Sequence, residues 1–264
     1  MKILNINTHS LIEPDYERKC RIFVDQTLKL KPDFITMQEV NQSISSPTLK
    51  SIPKNFILGG KIPLKEDNHA LTVWKMLKEQ GFEYNFCWCG FKLGYGKFQE
   101  GLAIFCLNPI KDLESFYLTK SKSDLNWKTR IALVIRSQNL SIATTHTGWW
   151  EDKDEPLKYQ LDTLFNHLKS HENLILTGDF NSPASDKDTG YSYILSHGFF
   201  DTFTLAKNKD SGNTVMGKID GWNTSEDKRI DYVFSNKKID VKSSFTVFDK
   251  DFRVSDHRGI IVTI

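Results

Sequence analysis

Cysteine is scarce in this chain, and Cys20, Cys87, Cys89 and Cys106 lack the paired spacing of a zinc ligand set. All four are read as buried thiols, with Cys87-Trp88-Cys89 placing two of them on one face of a strand. No stretch of about 18 apolar residues occurs, which excludes an ordinary membrane-spanning helix. Met1 leads directly into Lys-Ile-Leu-Asn-Ile-Asn, without the basic segment and long apolar core of an export signal. The expectation is a soluble, cytoplasmic protein with no membrane partner. An excess of one charge is also missing: 35 Lys and Arg face 33 Asp and Glu, for a net charge of +2, and no five like charges run together. A duplex binder gathers cations against closely spaced phosphates, so this balance does not favour nucleic acid, although it leaves it open. Only eight prolines interrupt 264 residues that are 39% apolar, enough core for one large α/β domain spanning 1–264.

The apolar pattern alternates between helical and strand periods. A strand over about residues 2 to 8 precedes a helix from Pro14 to Leu30, with Cys20, Phe23, Val24 and Thr27 at helical spacing and Pro32 just beyond its end. Phe34 to Met37 reads as a short strand running into Gln38-Glu39, and residues 41 to 69 as a long functional loop. A helix over 70–80 is followed by strands near 82–91, 101–107, 114–119, 130–137 and 139–146, a run that implies antiparallel pairing. A helix from Glu155 to Lys169 feeds a strand ending at Gly178-Asp179, and strands at 229–235, 241–248 and 258–264 complete the chain. Two β-rich halves of similar size suggest two packed sheets with helices outside.

Four distant islands carry the chemistry: Gln38-Glu39, Gly178-Asp179-Phe180-Asn181, Arg229-Ile230-Asp231-Tyr232 and Ser255-Asp256-His257. A hard cation such as Mg2+ or Mn2+ takes oxygen ligands, and Glu39 at a strand end fits the first of them. Taken alone, such a glutamate is more often a solvated surface residue, and the other islands change that reading. Asp179 can accept a proton from an attacking water while Asn181 donates to a phosphate oxygen, a division of polarity that two aspartates would not supply. An Asx turn is the plain alternative for that motif. A carboxylate beside His257 raises its pKa and fixes its tautomer, so that the imidazolium offsets phosphate charge. His146, closing the strand 139–146, is a second candidate for contacting phosphate oxygens.

With Asn7 and Glu100-Gly101 added in order, these residues make the chain resemble the endonuclease/exonuclease/phosphatase superfamily, which shares the fold of pancreatic deoxyribonuclease. The resemblance runs through nearly the whole length. It implies an α/β four-layer sandwich, two packed mixed β-sheets flanked by helices, with the site at one edge. It further implies Glu39 as the main metal ligand with Asn7 and Asp256 at or near the metal, and Asp179 orienting or deprotonating the water. Asn181 would bind phosphate, Asp231 would orient His257, His146 would stabilise the transition state and Glu100 would support the ligands. The implied cofactor is Mg2+ or Mn2+, and the implied activity is metal-dependent phosphoric ester hydrolysis.

Members of that superfamily act on nucleic acids, inositol phosphates, sphingomyelin and sugar phosphates, so the loops must select the substrate. The segments around Ile62–Asn68, Gly94–Gly101, Thr147–Trp150 and Ile219–Trp222 resemble a bacterial cytoplasmic branch that includes maltose 6'-phosphate phosphatases. Trp149, Trp150 and Trp222 can form apolar platforms for sugar rings, with Lys65, Asp67 or Asn68 bonding hydroxyls. A small phosphorylated sugar is therefore the expected substrate, and a DNA or RNA nuclease the alternative, since loop aromatics also stack bases. A noncatalytic scaffold would be expected to have lost Glu39, Asp179 or His257, and all three are present.

Overall fold

The structure is a computed structural model of residues 1–264, in which every residue except Asp220, Asn223 and Thr224 is described. The Asp220 position of the Ile219–Trp222 loop thus lies outside the described residues. In chain order the strands are β1 (Lys2–Asn7), β2 (Phe34–Ser43), β3 (Phe56–Leu58), β4 (Asn85–Gly94), β5 (Phe98–Cys106), β6 (Asp112–Tyr117) and β7 (Ile131–Ser137). They continue as β8 (Leu140–His146), β9 (Leu174–Asp179), β10 (Phe200–Asp201), β11 (Asn208–Lys209), β12 (Asp231–Ser235), β13 (Ser243–Val247) and β14 (Gly259–Thr263). The helices are α1 (Tyr16–Leu30), α2 (His69–Glu79), α3 (Leu157–Leu168), α4 (Gly190–Ser196) and α5 (Thr202–Leu205).

Eight strands form one sheet in the order β11-β13-β14-β1-β2-β5-β4-β3, and six form the other in the order β10-β12-β9-β8-β7-β6. Both are mixed: β1 runs parallel to β2 but antiparallel to β14, and β8 runs parallel to β9 but antiparallel to β7. Period-two alternation assigns each strand's side chains to one of two cores. Along β5, Leu102, Ile104 and Cys106 enter the layer between the sheets, where they meet Ile131, Leu133 and Ile135 of β7. Ala103 and Phe105 face outward, against a layer that includes Phe23 and Val24 of α1 and Leu71, Trp74 and Leu77 of α2. On the far side, Leu157, Leu161, Leu164 and Leu168 of α3 cover Ala132, Val134, Ala143 and Leu176 of the second sheet. The result is helix, sheet, sheet, helix, the four-layer sandwich expected from the sequence. All four cysteines are free and buried, and Cys87 and Cys89 share the inter-sheet face. Among the described residues, no helix is long and apolar enough to cross a membrane.

Residues 41–69 depart from the reading as a long loop. β2 continues through Ser43, β3 adds a parallel edge strand beside β4, and Leu64 is fully buried. Polar residues dominate that stretch because their side chains tie it down. Gln42 donates to the carbonyl of Pro63 and accepts from the backbone N–H of Lys65, while Asp67 accepts from the Ser43 N–H.

The inter-sheet layer turns polar toward one edge. Gln38 Nε2 donates to Asn5 Oδ1 at 2.9 Å and to Thr144 Oγ1 at 2.8 Å, joining β2 and β1 of one sheet to β8 of the other. Buried polar groups need partners, and this bridge engages the Gln38 amide nitrogen where the apolar core stops, while Gln38 Oε1 has no partner among the described residues. Gly178 permits close strand approach at the same edge. Its φ is +149°, and a Cβ there would lie 2.1 Å from the Thr145 carbonyl oxygen of the adjacent strand. Gly178→Ala is expected to lower stability by about 2–4 kcal/mol, because backbone rather than a flexible side chain occupies the space. An unchanged urea midpoint for that variant would show that β8 and β9 can separate without cost.

Candidate active site

Strand register gathers the side chains at the polar edge. His146 at the end of β8 pairs with Asp179 at the end of β9, and Asp179 pairs with Asp231 at the start of β12, so the three stand in one row. The facing sheet contributes Asn7 from the end of β1, Glu39 from β2 and Glu100 from β5. Glu39 owes its position to a β-bulge. The β2–β5 register shifts between Met37 and Val40, and Glu39 adopts φ +52°. Such a bulge re-aims a side chain that regular alternation would direct elsewhere. The Trp88 indole holds this region: its Nε1 donates to the Val40 carbonyl at 3.0 Å and lies so close to Gly101 that a Cβ there would approach within 2.4 Å. The glycine following Glu100 is thereby explained.

Asn7 Nδ2 donates to Glu39 Oε1 at 2.9 Å and to Asp179 Oδ2 at 3.0 Å, linking the two sheets' carboxylates. Asp179 Oδ1 accepts from the backbone N–H of Asn181 at 3.0 Å. Asn181 Nδ2 donates to the Thr147 carbonyl at 2.9 Å and lies 3.2 Å from His146 Nε2. His257 Nδ1 lies 2.8 Å from Asp231 Oδ2, and its Nε2 is 3.7 Å from Asp179 Oδ2. Asp256 lines the same cavity beside His9, whose Nδ1 is 4.0 Å from Asp256 Oδ1 and 2.6 Å from Glu13 Oε1.

Electrostatics divide the two central histidines. Burial pushes His146 well below the usual imidazole range, and nearby Arg130 and Lys92 push the same way, so this ring is neutral. Burial also opposes charge on His257, but Asp231 and Asp179 outweigh it and raise that imidazole well above its ordinary value. Burial and the neighbouring Asp231 push the Asp179 carboxyl up to about 7. Glu39 is likewise raised, first by burial and then by Glu100. Carboxylates that raise one another in a buried setting form an oxygen-rich donor set, which a hard cation stabilises. His146 Nδ1 and Asp231 Oδ1 are buried without a hydrogen-bond partner among the described residues. Among the described residues, two clusters have ligand atoms all within 4.8 Å of one another, His9 with Glu13 and Asp256, and Asp179 with Asp231 and His257. These acidic and imidazole groups fit a divalent cation; Glu39 belongs to neither cluster but lines the cavity with Asp256 and accepts from Asn7.

The cavity has a volume of about 360 Å3, and its walls include His9, Lys92, Tyr95, Trp127, Arg130 and Trp149 besides the acidic and imidazole groups. Of the loop residues expected to touch substrate, Trp149 lines it. Trp150 instead packs on Tyr193, with ring centroids 5.7 Å apart, because its side chain turns into the core beneath α3. Trp222 lies under Lys228, whose ammonium is 5.4 Å from the indole centroid. Lys65 is spent on the carbonyls of Ser43 and Ile44, and Asn68 caps α2 by accepting from the Leu71 N–H. Neither Lys65 nor Asn68 lines the cavity, since both close the backbone of the segment that carries them.

Sequence reasoning passed over Lys92, Trp127, Arg130 and His9. Lys92 is buried and pairs with Glu100 Oε1 at 3.0 Å, and burial lowers its pKa to about 8. Its signal was a lone charge in an apolar strand run, which requires a partner. Lys92 Nζ and Arg130 Nη1 both donate to the Trp127 carbonyl, at 3.1 and 3.0 Å. Two buried cations thus hold the loop whose indole, 55% exposed, leans toward Trp149 at a centroid distance of 6.1 Å.

The structure is similar along its whole length to that of an endonuclease/exonuclease/phosphatase family protein from Leptotrichia buccalis, at 31% identity and a TM-score of 0.86, covering 100% of this chain and 99% of that one. A mannosyl-6-phosphatase from Bacteroides thetaiotaomicron aligns at 18% identity and TM-score 0.68, over 100% of this chain and 98% of that one. A 3'-5' exonuclease from Neisseria meningitidis aligns at 16% and 0.63, over 100% and 99%. No curated protein sequence matches the chain. The sequence pattern described as the Endonuclease/Exonuclease/phosphatase family matches residues 13–257. A match of that extent, on a fold whose strand ends converge on one carboxylate- and imidazole-lined cavity, means that the chain belongs to this family.

Proposed function

We propose that this protein is a divalent-metal-dependent phosphoric ester hydrolase acting on a small phosphorylated sugar, with residues 1–264 working as one catalytic unit. The observation that carries the reading is the cavity itself. At about 360 Å3 it falls in the range of small-ligand sites, with acids and imidazoles in its lining and indoles of Trp127 and Trp149 at its wall. The unity of the chain is supported by β1 and β14, which pair side by side and carry Asn7 and the approach to His257.

In this reading Glu39 and Asp256, with Asn7 near them, hold Mg2+ or Mn2+. When bound, the cation supplies a Lewis acid for the phosphoryl oxygens. Asp179, with its carboxyl near 7, takes the proton of the attacking water at neutral pH. The Asn181 N–H that reaches His146 is the donor a phosphate oxygen takes over. His257 keeps its proton because Asp231 holds Nδ1, leaving Nε2–H to neutralise developing charge. Neutral His146 serves the same position in the tautomer protonated at Nε2, which donates to a phosphate oxygen once the Asn181 N–H has left it. The leaving sugar lies against the indoles, whose apolar faces suit ring C–H groups.

The mannosyl-6-phosphatase neighbour lends support to a sugar phosphate. The exonuclease neighbour and the exposed Trp127 ring, which can stack a base, favour a nuclease as second reading. Phosphate release from hexose and disaccharide phosphates, compared with oligonucleotide cleavage under the same magnesium and salt, separates them. We expect higher kcat/KM on a sugar phosphate, with weak salt dependence because no row of backbone phosphates is engaged. Efficient multiple-turnover cleavage of an oligonucleotide, with no release from any sugar phosphate, would overturn the choice.

A further inference from the structure

We infer that His9 is a nitrogen ligand of the bound cation, through Nε2, and that it turns the site toward late first-row divalent metals over Mg2+. The inference rests on the reading that Glu39 and Asp256 hold the metal.

His9 sits two residues beyond Asn7 in a turn where His9 and Ser10 both adopt positive φ, +48° and +41°. That turn is stitched to the bulge that aims Glu39. Ser10 Oγ donates to the Glu39 carbonyl at 2.7 Å, Thr8 Oγ1 donates to the Gln38 carbonyl at 2.9 Å, and the His9 N–H donates to Asn7 Oδ1 at 3.2 Å. The imidazole is therefore fixed relative to Glu39 by the backbone. It is oriented further by Glu13, whose Oε1 is 2.6 Å from Nδ1 and whose Oε2 is ion-paired with Lys19. A carboxylate on one ring nitrogen is the usual partner of a metal-ligating histidine, because it fixes the tautomer that leaves the other nitrogen's lone pair free. Nε2 has no hydrogen-bond partner among the described residues, and the ring lines the cavity together with Glu39 and Asp256.

The consequence is chemical selectivity. Mg2+ prefers oxygen and water ligands, whereas imidazole strengthens binding of Fe2+, Co2+, Ni2+ and Zn2+ relative to it. An all-oxygen site with Glu39 and Asp256 alone would lack that increment.

The test is calorimetric titration of metal-free protein with CoCl2 and with MgCl2, accompanied by the visible absorption of the Co2+ complex, which reports its ligand field. His9→Ala is expected to lower Co2+ affinity by about 10-fold or more, to shift the absorption band, and to lower Mg2+ affinity by a smaller factor, so that the ratio of the two falls. Glu13→Gln, which keeps the ring but weakens its anchor, is expected to move Co2+ affinity in the same direction by a smaller factor. His9→Gln serves if the alanine variant does not fold. A ratio of Co2+ to Mg2+ affinity that is the same in wild type and in a folded His9 variant overturns the assignment while leaving the metal reading intact. A wild-type protein that binds neither cation overturns the metal reading and this assignment with it.

Discussion

Asp179→Asn is expected to lower kcat by about 10²-fold or more while the fold survives. The substitution keeps the volume of a fully packed position, so no cavity or overpacking arises in the inter-sheet layer. What changes is chemistry. Asp179 Oδ1 accepts from the Asn181 N–H and Oδ2 from Asn7 Nδ2, and an amide can satisfy only one of those two donors as an acceptor. The lost proton acceptor is a group that burial and Asp231 have already brought up to about 7, close to the pH at which it would work. Removing the carboxylate also removes a group that raises His257, so that the imidazole loses part of its reason to stay charged. The fall is expected in kcat more than in KM, since the proton is transferred in the transition state and not on binding. Saturation kinetics on the best phosphoester from the substrate comparison, with thermal unfolding as control, give the answer. A folded variant with near wild-type kcat would show that Asp179 is not the base.

The polar strand-end positions were more legible in the sequence than the loops were. Glu39, His146, Asp179 and Asp231 sit at strand ends, bulges or starts, where polar residues interrupt apolar runs, and that interruption can be read without coordinates. Their convergence could not. It depends on the register that sets His146 beside Asp179 and Asp179 beside Asp231, and on the bulge between Met37 and Val40. Lys65 and Asn68 illustrate the opposite case. A lysine and an asparagine in a polar segment look available for a substrate, yet the segment's own carbonyls and a helix N-terminus claim them. The tryptophans divide in the same way, because whether an indole faces a cavity or a core is decided by the turn that carries it. Trp149 and Trp150 are adjacent in sequence and point to different surroundings. The stretch between Asn181 and Arg229 carried too weak a period to be read, and it folds into α4, α5 and two short edge strands only through partners elsewhere. Arg229 pairs with Asp201 at 2.6 Å, and the Tyr191 hydroxyl donates to the same carboxylate.

Removing divalent cations is expected to lower turnover by about 10³-fold or more and to lower the melting temperature, with both restored by Mg2+ or Mn2+. The two effects have one origin. Glu39 is raised by burial, by Glu100 and by Asp256, while His9 and Asn7 act against that. Without a cation the fold must hold these carboxylates together either against their repulsion or with protons bound. With one, ligation favours the native state and not the unfolded chain, which lacks the assembled site. At a cation concentration of 100 times Kd the gain is about 2.7 kcal/mol, which for a chain of this size corresponds to a rise in Tm of roughly 5 °C or more. Activity alone is a weaker test, because a chelator can strip metal from a substrate as well as from the protein. The paired measurement removes that ambiguity: thermal unfolding in excess chelator and then with added Mg2+, without substrate, alongside phosphate release under the same conditions. Glu39→Gln is the control, since it keeps the hydrogen bond from Asn7 possible while removing a charged ligand, and its Tm should respond little to added cation. Full turnover in excess chelator by protein shown to contain no metal, or a Tm indifferent to cation in the wild type, would remove Glu39 and Asp256 as ligands and leave the buried carboxylates to be explained by their hydrogen bonds alone.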